Sequence, residues 1–212
     1  MLRLSTALPL LFNLPTLSTG LFPSKLIYQA PNGTWLENLV VRPCGSIPVT
    51  AFTAPDLYQI NPPLPNPTAS LLHTLPDGLA TLGITETVSD DYFLVLSNVS
   101  LSKVIATLGT QRIYRVKFPS PETQPEISLA ASLSDAVLLN GLTTLNPTTH
   151  LAADARKGVV WSIDTVTGTS RIVLLDPLMA PTAPAMLGIN GLNVRNEKPS
   201  TSTTPTRTSS PK

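Results

Sequence analysis

An all-β fold is what the sequence predicts, and three observations predict it. Short runs rich in Val, Leu, Ile, Thr and aromatic residues alternate with turn residues along most of the chain. The runs fall into sets of four, and the sets echo one another. Charged residues are scarce, at 13% of the 212, whereas the 22 prolines crowd the segments between runs, a composition suited to strands joined by tight turns.

The best-defined set lies between Asn140 and Leu175. It opens on Asn140-Gly141-Leu142, turns at the polar corner 146–149, and continues through His150–Asp154, Val159–Asp164 and Ser170–Leu175. Four such runs predict a four-stranded antiparallel meander. A sheet of this kind cannot bury both faces alone, so its copies must pack on one another.

The first copy comprises Trp35–Val41, Ser46–Phe52, Asp56–Pro62 and Ser70–Leu75. The second comprises Leu82–Glu86, Asp91–Leu96, Arg112–Phe118 and Glu126–Ser132. A fourth begins at Ile189–Val194 and stops almost at once. The third strands agree best: Leu57-Tyr58-Gln59-Ile60, Ile113-Tyr114-Arg115-Val116 and Val160-Trp161-Ser162-Ile163 each carry an aromatic with an aliphatic two places on. Alignment of Leu39, Ile84, Leu142 and Leu192 gives intervals of about 45, 58 and 50 residues, close to the blade period of β-propellers. The expected architecture is therefore a partial β-propeller over residues 25–195, with about three blades and the start of a fourth.

Between these runs, Pro48 inside a strand marks an irregular or edge position. Residues 61–67 and 119–125 read as proline-rich loops, and Ser97–Gln111 as an insertion that forms a loop or short helix. Tyr58, Tyr114 and Trp161 share one strand position and are expected to pack between blades. His73 and His150 read as structural, and Asp90, Asp91 and Asp154 as turn residues rather than metal ligands.

Residues 1–20 have the layout of a secretory signal peptide: Arg3, an apolar run over Ala7–Leu17, then Ser18-Thr19-Gly20. This predicts a secretory or extracellular protein, the alternative being a cytoplasmic one. The apolar run is too short and interrupted to span a bilayer. Asn32-Gly33-Thr34 and Asn98-Val99-Ser100 are glycosylation sequons along the secretory route, which makes Asn32 and Asn98 candidate acceptors. Net charge is +1 without a dense basic run, which argues against a nucleic-acid partner. Cys44 is the only cysteine, so an internal disulfide and a cysteine-based zinc site are excluded, and its Pro-Cys-Gly setting predicts a surface or half-buried thiol. Residues 196–212 hold no apolar side chain apart from proline and are expected to be disordered, either as a stalk or as the end of a truncated reading frame.

Glu37-Asn38-Leu39, Asn140-Gly141-Leu142 and Asn190-Gly191-Leu192 open successive blades as in the regucalcin/gluconolactonase-like six-bladed propellers. Ile27–Pro43 and Asp56–Pro62 more closely resemble a fungal branch of that family, found with secondary-metabolite pathways. Some members are similar to hetero-Diels–Alderases, which join a quinone methide to a terpene. The resemblance implies a six-bladed parent fold and a small apolar natural-product substrate. From the lactonase relatives it also implies a divalent cation such as Ca²⁺ on the channel axis, with Glu37, Asn140 and Asn190 at matching positions. Leu82 breaks that pattern in the second blade. Asn-Gly is also a common turn and strand-entry dipeptide, so these residues equally serve backbone geometry alone.

Three functions compete on this reading. The first is a pericyclase that aligns two apolar reactants and polarises a carbonyl with a few hydrogen-bond donors, without a nucleophile. The second is a metal-dependent lactonase, in which a cation polarises an ester. The third is a fragment or interaction scaffold that self-associates through open blade faces. No residue is singled out as catalytic by the sequence.

Overall fold

The computed structural model describes residues 25–62, 66–100, 105–182 and 187–195. The expected signal peptide and the Ser/Thr/Pro-rich tail lie outside the described residues. What is described is all-β: three four-stranded antiparallel sheets follow one another along the chain, with one short hairpin and a single turn of 3-10 helix at Pro177–Met179. No helix among the described residues is long and apolar enough to cross a membrane.

The first sheet is a plain meander of β1 (Leu36–Leu39), β2 (Ile47–Ala51), β3 (Asp56–Ile60) and β4 (Ala69–Thr74). The second contains β5 (Ala80–Val88) and β6 (Asp91–Ser97). The hairpin β7 (Val99–Ser100) and β8 (Ile105–Ala106) interrupts it before it resumes with β9 (Gln111–Lys117) and β10 (Glu126–Leu133). The expected loop or helix at 97–111 is thus, in its described part, a two-stranded ladder. The third sheet returns to the simple order: β11 (Leu139–Asn146), β12 (Thr149–Asp154), β13 (Val159–Asp164) and β14 (Ser170–Leu175). The strand sets read from the pattern match these elements one for one.

Period-two alternation in the middle sheet explains how the three stack. Along β6, Tyr92, Leu94 and Leu96 enter a core shared with Leu57 and Leu75 of the first sheet. Phe93 and Val95 point the other way, into a core with Leu139, Ala152 and Trp161 of the third. Strand β9 divides likewise, with Tyr114 and Val116 on one side and Ile113 on the other. All seven residues of β6 are buried because both of its faces are packed. Tyr114 and Trp161 are accordingly packing residues between sheets, as expected, and Tyr58 is half-buried with its hydroxyl donating to Asp56 Oδ2 at 2.7 Å.

Polar side chains complete the junctions. Thr50 Oγ1 donates to the Leu82 carbonyl at 2.6 Å, and Thr81 Oγ1 accepts from the Ala51 N–H at 2.8 Å, tying the first sheet to the second. Buried Gln111 donates through Nε2 to the Val137 carbonyl at 3.0 Å and accepts from Leu139 N–H at 3.1 Å, tying the second to the third. Each bond satisfies a buried backbone group that a neighbouring strand does not reach.

Pro48 sits on β2, an inner strand of the order β1-β2-β3-β4, so it is irregular without being at an edge. Its carbonyl accepts from Val40 N–H at 3.1 Å, but proline has no N–H to return the bond, and regular pairing of β1 ends at Leu39.

Candidate functional site

The first strands of the three sheets lie side by side, β5 against β1 and against β11, and glycine lets β5 and β11 approach closely. A Cβ on Gly83 of β5 would stand 2.3 Å from the carbonyl oxygen of Asn140 on β11, and one on Gly141 would meet the carbonyl oxygen of Asn190 at the same distance. Only a residue without a side chain admits such an approach. Asn140-Gly141 is therefore neither a turn nor a strand entry: it lies within β11, where the chain of the next repeat presses against it. Gly141 N–H donates to the Asn190 carbonyl at 3.1 Å, so the residues after 187 run beside β11 as the start of a further inner segment.

This convergence brings Glu37 of the first sheet to Asn140 of the third, across the second. The Asn140 and Trp35 side chains hydrogen-bond the Glu37 carboxylate. Partial burial nevertheless dominates and pushes the Glu37 carboxyl above the ordinary carboxylate value, with the two hydrogen bonds opposing that shift. Asn140 is only 6% exposed. Asn190 joins the group through its backbone carbonyl and is itself exposed. Leu82, at the equivalent place in the second sheet, is fully buried and apolar.

Glu37 also lines a groove of about 430 Å³ on the outer face of the first sheet. Its walls are mainly apolar: Leu26, Ile27, Leu36, Leu39, Val49 and Ile60, with Tyr28 at one side. Sequence reasoning placed Glu37 on the axis and missed the groove and Trp35. The one available signal was the Trp35-Leu36-Glu37 alternation, which sets the indole and the carboxyl on the same side of an extended strand.

Glu37 and Asn140 are oxygen donors of the kind a hard cation takes, and Asn190 joins them through its backbone carbonyl. They offer one carboxylate, one carboxamide and one backbone carbonyl of the six to eight oxygens, water included, that Ca²⁺ takes. No group of three or more His, Cys, Asp or Glu able to hold a metal occurs among the described residues.

The remaining sequence candidates fall away from this centre. His73 is exposed on β4. His150 is fully buried on β12 with its ring centroid 4.3 Å from that of Phe93. Asp90 and Asp91 are engaged by Arg42 and Arg115. Asp154 accepts five N–H groups and has no role as a ligand. Cys44 is an exposed thiol whose Sγ lies 3.2 Å from Ser46 Oγ. Of the sequon asparagines, Asn32 is exposed in a turn and Asn98 is half-buried between β6 and β7.

Two curated relatives share the chain's sequence over most of its length. One, from Phoma sp., carries the name "Putative hetero-Diels-Alderase" and is 30% identical over 202 residues, covering 82% of this chain and 56% of the relative. Another, "Putative hetero-Diels-Alderase asR5" from Sarocladium schorii, is 27% identical over 198 residues, covering 82% of this chain and 49% of the relative. The chain thus spans about half the length of the curated relatives it matches. No family model matches it.

Proposed function

We propose that the chain forms the Glu37-bearing part of a propeller-type hetero-Diels–Alderase, acting on a quinone methide-like heterodiene and an apolar alkene such as a terpene. The observation that carries this reading is the contact of Glu37 with Asn140 at the rim of an apolar groove, in a chain whose relatives bear that name. Such a cycloaddition needs no nucleophile and no leaving group. The O=C–C=C unit and the alkene form one C–C and one C–O bond, and every atom is retained.

Two contributions suffice for catalysis of this kind. Apolar walls hold both reactants together and exclude water, replacing a bimolecular encounter by an oriented one. A hydrogen-bond donor at the heterodiene oxygen stabilises the charge that builds there in the transition state. Glu37 would serve that task when protonated, the direction in which burial shifts its carboxyl against the opposing hydrogen bonds of Trp35 and Asn140. A lactonase would instead route its chemistry through a cation that polarises the ester carbonyl.

The test is enantioselective product analysis after the protein is mixed with a quinone methide precursor and a cyclic terpene. The expected result is one adduct enriched above the buffer background, unaffected by EDTA, retained in part by Glu37→Gln, which keeps a donor, and lost in Glu37→Leu. Product indistinguishable from the uncatalysed mixture would refute the reading. Hydrolysis of a lactone that depends on Ca²⁺ would replace it with the alternative.

A further inference from the structure

A second crevice opens between the middle and third sheets, and it shares no residue with the Glu37 groove. One wall comes from alternation along β6 and β9. Asp91 lies two places before Phe93, and Arg115 two places after Ile113, so the four share the face turned to the third sheet. The Arg115 guanidinium donates from Nε to Asp91 Oδ1 at 2.8 Å and from Nη2 to Oδ2. Ser128 of β10 is paired with Arg115 and extends this wall. The opposite wall consists of two turns of the third sheet that are tied together. The Thr165 N–H and hydroxyl both donate to the Thr148 carbonyl, at 2.9 and 3.1 Å. Asp164 Oδ1 accepts from the N–H groups of Val166 and Thr167, at 2.9 Å each. Both walls are thus fixed by contacts of their own.

We propose that this crevice binds a neutral, polyhydroxylated ring the size of one monosaccharide unit. Size, charge and hydrogen-bonding capacity select that ligand. The space measures about 260 Å³, below the range of roughly 300–1,000 Å³ that drug-sized ligands occupy, and so admits a single ring. Arg115 is already answered by Asp91 and feels a second negative charge on Glu126, so an anion gains little there. The same pair offers no net charge to a cation. The neighbouring Arg42–Asp90 pair is closed off, because Arg42 donates also to Gln59, Ser120 and Pro121. Arg115, by contrast, is 43% exposed, and its Nη1 has no partner among the described residues. Asp91 keeps further lone pairs on both oxygens. The Ser128 hydroxyl also has no partner among the described residues, and Thr148 and Thr165 give their hydroxyl protons within the turns, which leaves oxygens that accept. Adjacent sugar hydroxyls both donate and accept, so they can bridge a carboxylate and a guanidinium fork. Phe93 and Val166 supply apolar surface for the C–H face of the ring.

Saturation-transfer NMR of the 212-residue chain with glucose, galactose and mannose, each titrated to saturation, tests this. At least one of the three is expected to bind, and its uronic-acid and amino-sugar counterparts are expected to bind several-fold more weakly. Arg115→Gln is expected to weaken binding about tenfold, the effect of losing hydrogen bonds from a charged group. Because that variant leaves Asp91 without its cation, Ser128→Phe provides a second one: it fills the crevice from an exposed strand position and is expected to abolish binding while the circular dichroism melt stays native. Glu37→Gln, in the other groove, is expected to leave sugar binding unchanged. Absence of transfer to all three sugars overturns the proposal. So does binding that survives both Arg115→Gln and Ser128→Phe, binding lost in Glu37→Gln, or tighter binding of the uronic acid than of the neutral sugar.

Discussion

Arg42 holds Asp90 across the junction of the first and second sheets, its Nε donating to Oδ1 at 2.8 Å. The guanidinium carbon lies 3.6 Å from the centroid of the Phe118 ring, and its other nitrogens donate to Gln59 Oε1 and the carbonyls of Ser120 and Pro121. A cation with an almost fully buried side chain is tolerable only when charge and donors are answered in this way. Asp90 is held at φ 60°, a left-handed conformation that aspartate accepts more readily than most residues.

Arg42→Ala is therefore expected to cost on the order of 3 kcal/mol, since it leaves a partly buried carboxylate unpaired and a void over Phe118. Arg42→Lys is expected to recover less than half of that. An ammonium can reach Asp90 but cannot lie flat on the ring while donating to several acceptors. Urea denaturation midpoints of the native protein and the two variants measure the difference. Equal midpoints for the native protein and the Arg42→Ala variant would show that the clamp contributes nothing.

A second prediction concerns the inner strands. Gly83→Ala places a methyl group 2.3 Å from one backbone oxygen and 2.7 Å from the Leu142 nitrogen, and neither belongs to a side chain that can swing away. The inner strands must separate, at a cost of about 1–3 kcal/mol or more. A thermal melting temperature several degrees below that of the native protein is expected, and an unchanged melt would mean that the strands are not in contact at this point.

These two positions show what was legible in the sequence. Apolar runs bounded by turn residues located all twelve strands of the main sheets, and a strand packed on both faces shows as an unbroken apolar run, as Tyr92–Leu96 does. The shared Asn/Glu-led openings also indicated which positions meet, and Glu37 and Asn140 do. What could not be read was which face of the first sheet meets the second, since Ile47 and Val49 look as apolar in sequence as Leu57. Nor could the Arg42 clamp be read, because its partners Asp90, Phe118 and Ser120 lie 48 or more positions away and only register brings them near. The hairpin at 99–106 was missed because two-residue strands leave no periodicity to detect.

A third prediction follows from His150. Its ring is fully buried against Phe93, Nδ1 lies 3.4 Å from Thr144 Oγ1, and Nε2 has no partner among the described residues. Burial pushes its pKa down to about 4, a shift that the negative charge of Asp91 only partly opposes. The folded state thus favours the neutral ring. The resulting stability is fully present above the unfolded value near 6.5 and is lost as pH falls through 4. Unfolding free energy is expected to drop by up to roughly 3 kcal/mol between pH 6.5 and 4 from this residue. His150→Phe is expected to flatten that part of the profile. If the variant and the native protein lose stability in parallel over this range, the histidine is not responsible.

Asp154 gives the fourth. Its Oδ1 accepts from the N–H groups of Leu138 at 3.1 Å, Arg156 at 3.3 Å and Lys157 at 3.0 Å, and Oδ2 accepts from Val137 N–H at 2.8 Å and the Trp161 indole N–H at 3.3 Å. One carboxylate thereby closes the turn between β12 and β13, anchors the entry to β11 and orients the largest side chain of the second core. Both oxygens act purely as acceptors, and an asparagine can supply only one such atom. In Asp154→Asn the amide nitrogen must face N–H donors whichever way it is turned, and at least two of them lose their acceptor. A penalty of about 2–4 kcal/mol is expected from that mismatch alone, despite nearly identical size and shape. Trp161 provides a local readout, since freeing its N–H and loosening its packing are expected to shift and broaden its emission before global unfolding. An asparagine variant with native stability and native Trp161 emission would show that the five donors are satisfied by something other than this side chain.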